Sequence, residues 1–329
     1  MRNALYTFSG KCLLIGLILV VGFNLCAMSS GAAPWSPYGA EGTISSAEPG
    51  GFNRPVHAAV DSEGNVYVAD VFAHDIRKLT VASGEWAVLF GNGASAELGE
   101  FNNTYGVAVD GEGNIYVADE YNHRIQKYAS ATGEWSAWGK SGGGSGSGLG
   151  EFNLPTDVAV DSAGNLYVTE FGNHRVQKFA KADGTWSIIG GAGSALGTFH
   201  SPFGVAVDEE DNVYIADAGN NRIQKLTVST GEWQAWGKPG GVNGKELGEF
   251  VYPSAVAVDG KGNLYVADSK NHRVQKWAAS TETWSAWGKE GGGAGRGLGE
   301  FDSPEGVAVD GSGNLYVADT ANARVQMLS

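Results

Sequence analysis

The chain has 329 residues, 51 of them glycine, with 42% hydrophobic and 11% aromatic content. That composition supports a packed core and excludes a disordered or collagen-like chain. With 22 Lys and Arg against 36 Asp and Glu, the net charge of −14 argues against a nucleic-acid partner, whose phosphates call for basic patches.

At the N-terminus, Arg2 and Lys11 flank a polar start, and residues 13–23 form an apolar run. Such a run has the length of a signal-peptide core and is too short for a membrane span. The small residues Ala27, Ser29, Ser30, Gly31, Ala32 and Ala33 follow it. Residues 1–33 are therefore expected to be a cleaved signal peptide, with an N-terminal anchor as the other reading. Cys12 and Cys26 both lie there, so residues 34–329 can hold no disulfide and no thiolate site. Loss of Arg2 and Lys11, with no acidic residue removed, takes the charge to −16.

The rest of the chain is one repeated unit. The segment Gly106-Val107-Ala108-Val109-Asp110 recurs at 157–161, 204–208, 255–259 and 306–310, and more weakly as Ala58-Ala59-Val60-Asp61. The closing aspartates are 47 to 51 residues apart. Each copy carries four short segments rich in Val, Ile, Tyr and Trp. In the second copy they are residues 106–110, 114–119, 124–128 and 134–139, strand-like in length and composition. Asp110-Gly111-Glu112-Gly113-Asn114 supplies a carboxylate that can cap backbone amides and a glycine for positive φ, and Thr132-Gly133 makes the next turn. Six such four-stranded antiparallel units predict an all-β, six-bladed β-propeller forming a single domain over residues 34–329. The sixth copy stops at Ser329 after its third strand, while Trp35-Ser36-Pro37-Tyr38-Gly39 matches the fourth strand Trp135-Ser136-Ala137-Trp138-Gly139. The strand from Trp35 to Gly39 is expected to complete the last blade and leave no long open edge.

Between second and third strands the sequence reads Asn122-His123-Arg124-Ile125-Gln126, with counterparts at 173–177, 220–224, 271–275 and 322–326. With Tyr-Val-Ala-Asp preceding, this pattern resembles the NHL-repeat family of six-bladed β-propellers across essentially all of residues 34–329. The resemblance implies the fold far better than the function. Relatives include RNA-binding domains of tripartite-motif proteins, extracellular sensor domains of bacterial kinases, and a metal-dependent peptide-amidating lyase.

Several repeated residues read as scaffold. His74, His123, His174 and His272 hold one equivalent position in separate blades, so they cannot share an ion. A carboxylate ending each second strand faces an arginine five residues on: Asp119 and Arg124, Glu170 and Arg175, Asp217 and Arg222, Asp268 and Arg273, Asp319 and Arg324. These are expected to be bidentate pairs. The first copy departs, with Asp75 opposite Asp70; Arg77 lies on the same face as a substitute, and a bridging cation is the other reading. The tryptophans of the outer strands are expected to fill the wedge between blades. Glycine-rich residues 139–150, 237–248 and 288–299 run from strand to strand, as inter-blade connections rather than phosphate loops.

The ligand face is sought where the repeat breaks. His57, Tyr105, Thr156, Phe203, Ser254 and Glu305 are taken to precede the six inner strands, and Asp157 replaces a small residue. Phe72, Tyr121 and Phe171 come from neighbouring loops. A channel mouth of His57, Tyr105, Asp157, Phe203, Glu305, Tyr121 and Phe171 is the expected binding site. No nucleophile and base are paired above the repeat background, so no catalytic residue, metal or cofactor is assigned. The expected function is an exported, monomeric, non-catalytic binding or scaffold propeller for a protein, peptide or glycan. It would contact no nucleic acid, and no membrane beyond the N-terminal signal. The alternative is a metal-dependent lyase or hydrolase resembling the peptide-amidating lyases, built on His57, His200 and Asp157.

Overall fold

The computed structural model describes residues 35–38 and 50–329. The expected leader, residues 1–33, and Gly39 lie outside them. In the second blade the strands are Thr104–Val109, Ile115–Asp119, Arg124–Ala129 and Glu134–Gly139. The inner strand thus starts two residues before the expected one, and Asp110 is already turn. Its Oδ1 accepts the Glu112 and Asn114 N–H groups, and its Oδ2 accepts the Asn114 amide and the Tyr116 hydroxyl. Gly113 then takes φ +78°, and Asp211 takes +63° at the equivalent point of the fourth copy. A short polar side chain tolerates that left-handed turn better than most.

The described residues form six four-stranded antiparallel sheets, the blades of a propeller. Second strands are buried along their whole length, because neighbouring blades cover both faces. Phe52, Phe101, Phe152, Phe199, Phe250 and Phe301, one from each connection between blades, are fully buried. Each meets a tryptophan of an outermost strand edge-on, as Phe101 meets Trp135 at 5.7 Å and Phe152 meets Trp186 at 5.2 Å.

The ring closes as the repeat count requires. Ser36–Tyr38 pairs antiparallel with Arg324–Leu328, placing Ser36 opposite Met327 and Tyr38 opposite Val325. Trp35 enters the slot of the other outer-strand tryptophans, 5.3 Å from Phe301 and 6.1 Å from Trp287.

The repeated histidines join consecutive blades. Nδ1 of His74, His123, His174 and His272 accepts the backbone N–H of Asn103, Leu154, Ser201 and Ser303 at 2.9, 3.1, 2.9 and 3.0 Å. In the fourth copy Asn221 does the same with Oδ1, taking the Tyr252 N–H at 2.9 Å.

The carboxylate–arginine contacts are single-point rather than bidentate. Nε reaches the carboxylate at 2.6 Å for Arg124–Asp119, 2.5 Å for Arg175–Glu170 and 2.7 Å for Arg222–Asp217, Arg273–Asp268 and Arg324–Asp319. The remaining Arg124 donors go to the carbonyls of Ala96, Glu97 and Glu100. Asp119 receives Asn102 N–H, Asn122 and Gln126 instead. The fork is spent on the incoming loop, so each pair anchors a connection as well as a hairpin. In the first blade Arg77, fully buried, forms the two-point contact. Its Nε and Nη2 lie 3.1 and 2.9 Å from Asp75, and its Nε 3.9 Å from Asp70. Arg77 thereby supplies positive charge between the two carboxylates at the place where Gln126 stands in the second blade.

Candidate functional site

One face of the propeller gathers the connections entering the inner strands and the loops that follow the second strands. Arg54, Phe203, Tyr252 and Glu305 sit just ahead of inner strands, and Tyr105 lies near the start of Thr104–Val109. Glu120 opens the one-turn helix Glu120–Asn122, and Ser269 and Lys270 lie in Ser269–Asn271. Phe171 follows directly on Leu166–Glu170. With Ser254 these side chains surround a cavity of about 340 Å³.

Aromatic rings form much of the wall. Phe203 meets Tyr105, Tyr252 and Phe171 edge-on at centroid distances of 5.2, 5.8 and 6.1 Å. The charged groups bind one another: Arg54 Nη2 lies 2.9 Å from Glu305 Oε1, and the Tyr105 hydroxyl donates to Glu305 Oε2 at 3.2 Å. The Arg54 guanidinium lies 5.2 Å from the centre of the Phe72 ring. Glu120, 8% exposed, accepts only a neutral amide hydrogen bond, from Asn103 Nδ2 at 2.6 Å.

Burial shapes the titration of this face. It raises the Glu120 carboxyl to about 6, against the Asn103 hydrogen bond and the charge of Arg54, with Glu305 adding to the rise. It raises the Tyr252 hydroxyl to about 12, helped by Glu305 and Glu120. Tyr105 goes up for the same reason, burial first and Glu305 second. For Arg54, burial opposes the charge, but Glu305 and its neighbours outweigh it, so the guanidinium is held above its ordinary range.

Of the seven expected mouth residues, Tyr105, Phe171, Phe203 and Glu305 line this cavity. Tyr121 does not, and is 56% exposed. Phe171 aligns with Glu120 rather than Tyr121, since each follows the last residue of a second strand. Glu120, Phe171 and Ser269 of that column line the mouth; of the next column Lys270 reaches the cavity wall, while Phe72 and Tyr121 are exposed.

His57 and Asp157 also stand apart from the cavity. In the sheets His57 pairs with Ala69, Asp157 with Thr169 and Gly306 with Ala318, so these three are equivalent. Val56, not His57, is therefore the partner of Tyr105. The weak first copy hides this one-residue offset. His57 Nε2 lies 3.3 Å from Asp157 Oδ2, while its Nδ1 accepts the Val107 N–H at 3.4 Å. Asp157, 2% exposed, also accepts the Val158 and Val205 N–H groups, each at 2.8 Å. The pair spans four consecutive blades. Gly106 and Gly204 occupy the same column in the second and fourth blades, and a Cβ on Gly106 would stand 2.6 Å from the Asp157 Cα. Asp157 is thus a buried inter-blade tie rather than a mouth residue. His57 lines a separate cavity of about 210 Å³ whose other walls are Ala and Val from all six inner strands.

Arg54, Glu120, Tyr252, Ser269 and Lys270 escaped the sequence reading. The column Val71, Glu120, Phe171, Ala218, Ser269, Thr320 varies as freely as the one chosen, and comparing it would have found three of the lining residues. A catalytic zinc site takes about three protein ligands. Among the described residues no three His, Cys, Asp or Glu side chains converge on one point, and the mouth cavity has no imidazole in its wall.

Fold and site together define a six-bladed β-propeller with a side-chain-sized cavity at one channel mouth. The NHL repeat pattern matches residues 105–128, 152–179, 199–226, 250–277 and 301–327, and the chain belongs to the NHL-repeat propellers. It is similar to human NHL repeat-containing protein 3, at 46% identity over 44 residues. That match spans 13% of each chain. Among solved structures it resembles an auxiliary nutrient binding protein from Bacteroides ovatus, with 15% identity, TM-score 0.68, and 91% and 76% of the two chains covered. It also resembles virginiamycin B lyase from Staphylococcus aureus, with 16% identity, TM-score 0.55, and 84% and 80% covered. At such identities the likeness is one of fold.

Proposed function

We propose that this protein is an exported, non-catalytic binding propeller that holds a protein, peptide or glycan ligand at its channel mouth. The observation that carries the reading is the cavity itself, ringed by Tyr105, Phe171, Phe203 and Tyr252. Its lining residues differ from blade to blade while the scaffold beneath them repeats. An apolar cavity of this size with a few placed polar groups is the usual form of a ligand site. The likeness to a nutrient binding protein supports the same reading. Export rests on residues 1–33, whose charged start, short apolar run and small residues suit a secretory leader. Among the described residues no helix is long and apolar enough to cross a membrane. The lyase-like alternative would need metal donors that the mouth does not bring together.

The test is a glycan and peptide panel probed with the wild-type domain and with Phe203→Ala, which removes the central ring. The reading expects a ligand retained by the wild type and lost by the variant. Equal binding by both proteins would place the ligand elsewhere and end the reading.

A further inference from the structure

Glu120 is the least compensated buried charge in the mouth. Both oxygens of Glu305 are engaged, by Arg54 and by the Tyr105 hydroxyl, and that pairing neutralises Arg54 in turn. Glu120 is as deeply buried as a core residue, yet its one hydrogen-bonding partner is the neutral Asn103 amide. A buried carboxylate without a counter-charge carries a desolvation cost that an incoming cation would relieve. Ring faces attract a cation for a second, independent reason, the quadrupole of the π system, and four aromatic side chains line the same cavity.

We infer that the mouth accepts a cationic group, an ammonium or guanidinium, presented by a peptide or amine ligand. This rests on the binding reading above and narrows its ligand class. An anion would meet two carboxylates and would have to pull Arg54 from Glu305 to find a partner. Lys270 alone favours an anion, and it sits exposed on the rim. The net charge of −14 draws cations toward the protein at long range. The groups facing Glu120 are Arg54, Glu305 and Asn103, with Tyr105, Tyr252 and Lys270 around the same cavity. Among them, burial raises the Glu120 carboxyl to about 6.

The experiment titrates the purified protein calorimetrically with N-acetyl-arginine amide, N-acetyl-glutamate and methyl glucoside. The arginine derivative is expected to bind best, and about tenfold more weakly at about pH 5 than at about pH 8, because a carboxyl titrating near 6 is then roughly nine-tenths protonated. Glu120→Gln, which keeps the size and one acceptor oxygen, should weaken binding and flatten its pH dependence. Lys270→Ala should tighten it. Preference for N-acetyl-glutamate, or arginine binding that ignores both pH and Glu120→Gln, overturns the inference. If the glucoside or the glutamate binds instead and Phe203→Ala abolishes it, the cationic class falls and the binding reading stands. If no probe and no panel ligand depends on Phe203, both fall.

Discussion

Replacing Asp157 with alanine separates a structural tie from a ligand contact. The carboxylate accepts two backbone N–H groups, Val158 and Val205, each at 2.8 Å, and lies 3.3 Å from His57 Nε2. At 2% exposure, water cannot replace it. Two orphaned buried donors cost about 1–3 kcal/mol each, so the loss centres on about 4 kcal/mol. For a chain of this size that corresponds to a fall in melting temperature of roughly 6 °C. Asp157→Asn keeps one acceptor but turns an amide N–H toward the other donor, and should lose about half as much. Calorimetric melts of the three proteins measure the effect. If Asp157→Ala melts within about 2 °C of wild type and binds no ligand, the carboxylate faces a ligand and the tie described above is wrong.

Three further outcomes follow from the same geometry. Trp35→Ala should destabilise the protein by about 3 kcal/mol in urea unfolding, because Trp35 fills the closing slot against Phe301 and Trp287; an unchanged midpoint would mean that the N-terminal strand does not seal the ring. His123→Ala should cost about 1 kcal/mol by orphaning the Leu154 N–H, whereas His123→Asn should be near neutral, since Asn221 already does this work for Tyr252. Equal losses in a thermal-shift assay would count against the staple. For Glu120 the native state keeps its proton up to about 6, against an ordinary 4.5, so its ionisation lowers stability as pH rises through that window. Glu120→Gln should therefore stabilise the protein above about pH 6, by up to about 2 kcal/mol in urea unfolding, and leave its stability unchanged at about pH 4; the same gain at both pH values would contradict this.

The fold was legible because it is written six times. Asp110 and Gly113 mark one turn, Asp161 and Gly164 the next, and their spacing counts the blades. Trp35 was legible because it matches Trp135 and Trp284 where the sixth copy lacks a fourth strand. The site is harder to read because ligand residues are, by nature, where the copies disagree. His57 was misplaced by one residue in the weakest copy, and in a strand one residue exchanges the faces. Glu120 sits between a repeated aspartate and a repeated asparagine, in a variable column that was not compared, and the backbone turn Glu120–Asn122 carries it to the mouth. The arginine forks looked bidentate because the groups they also hold are backbone carbonyls, such as those of Ala96 and Glu97, which any residue supplies and no sequence pattern marks.

The central claim is that ligand binds at the channel mouth among Tyr105, Phe171, Phe203 and Tyr252. A crystal of the domain soaked with the strongest panel ligand tests it most directly. The account predicts ligand density in that cavity, against the Phe203 ring and within hydrogen-bond reach of Glu120. Density on the opposite face, or along the outer strands with the mouth empty, would contradict it.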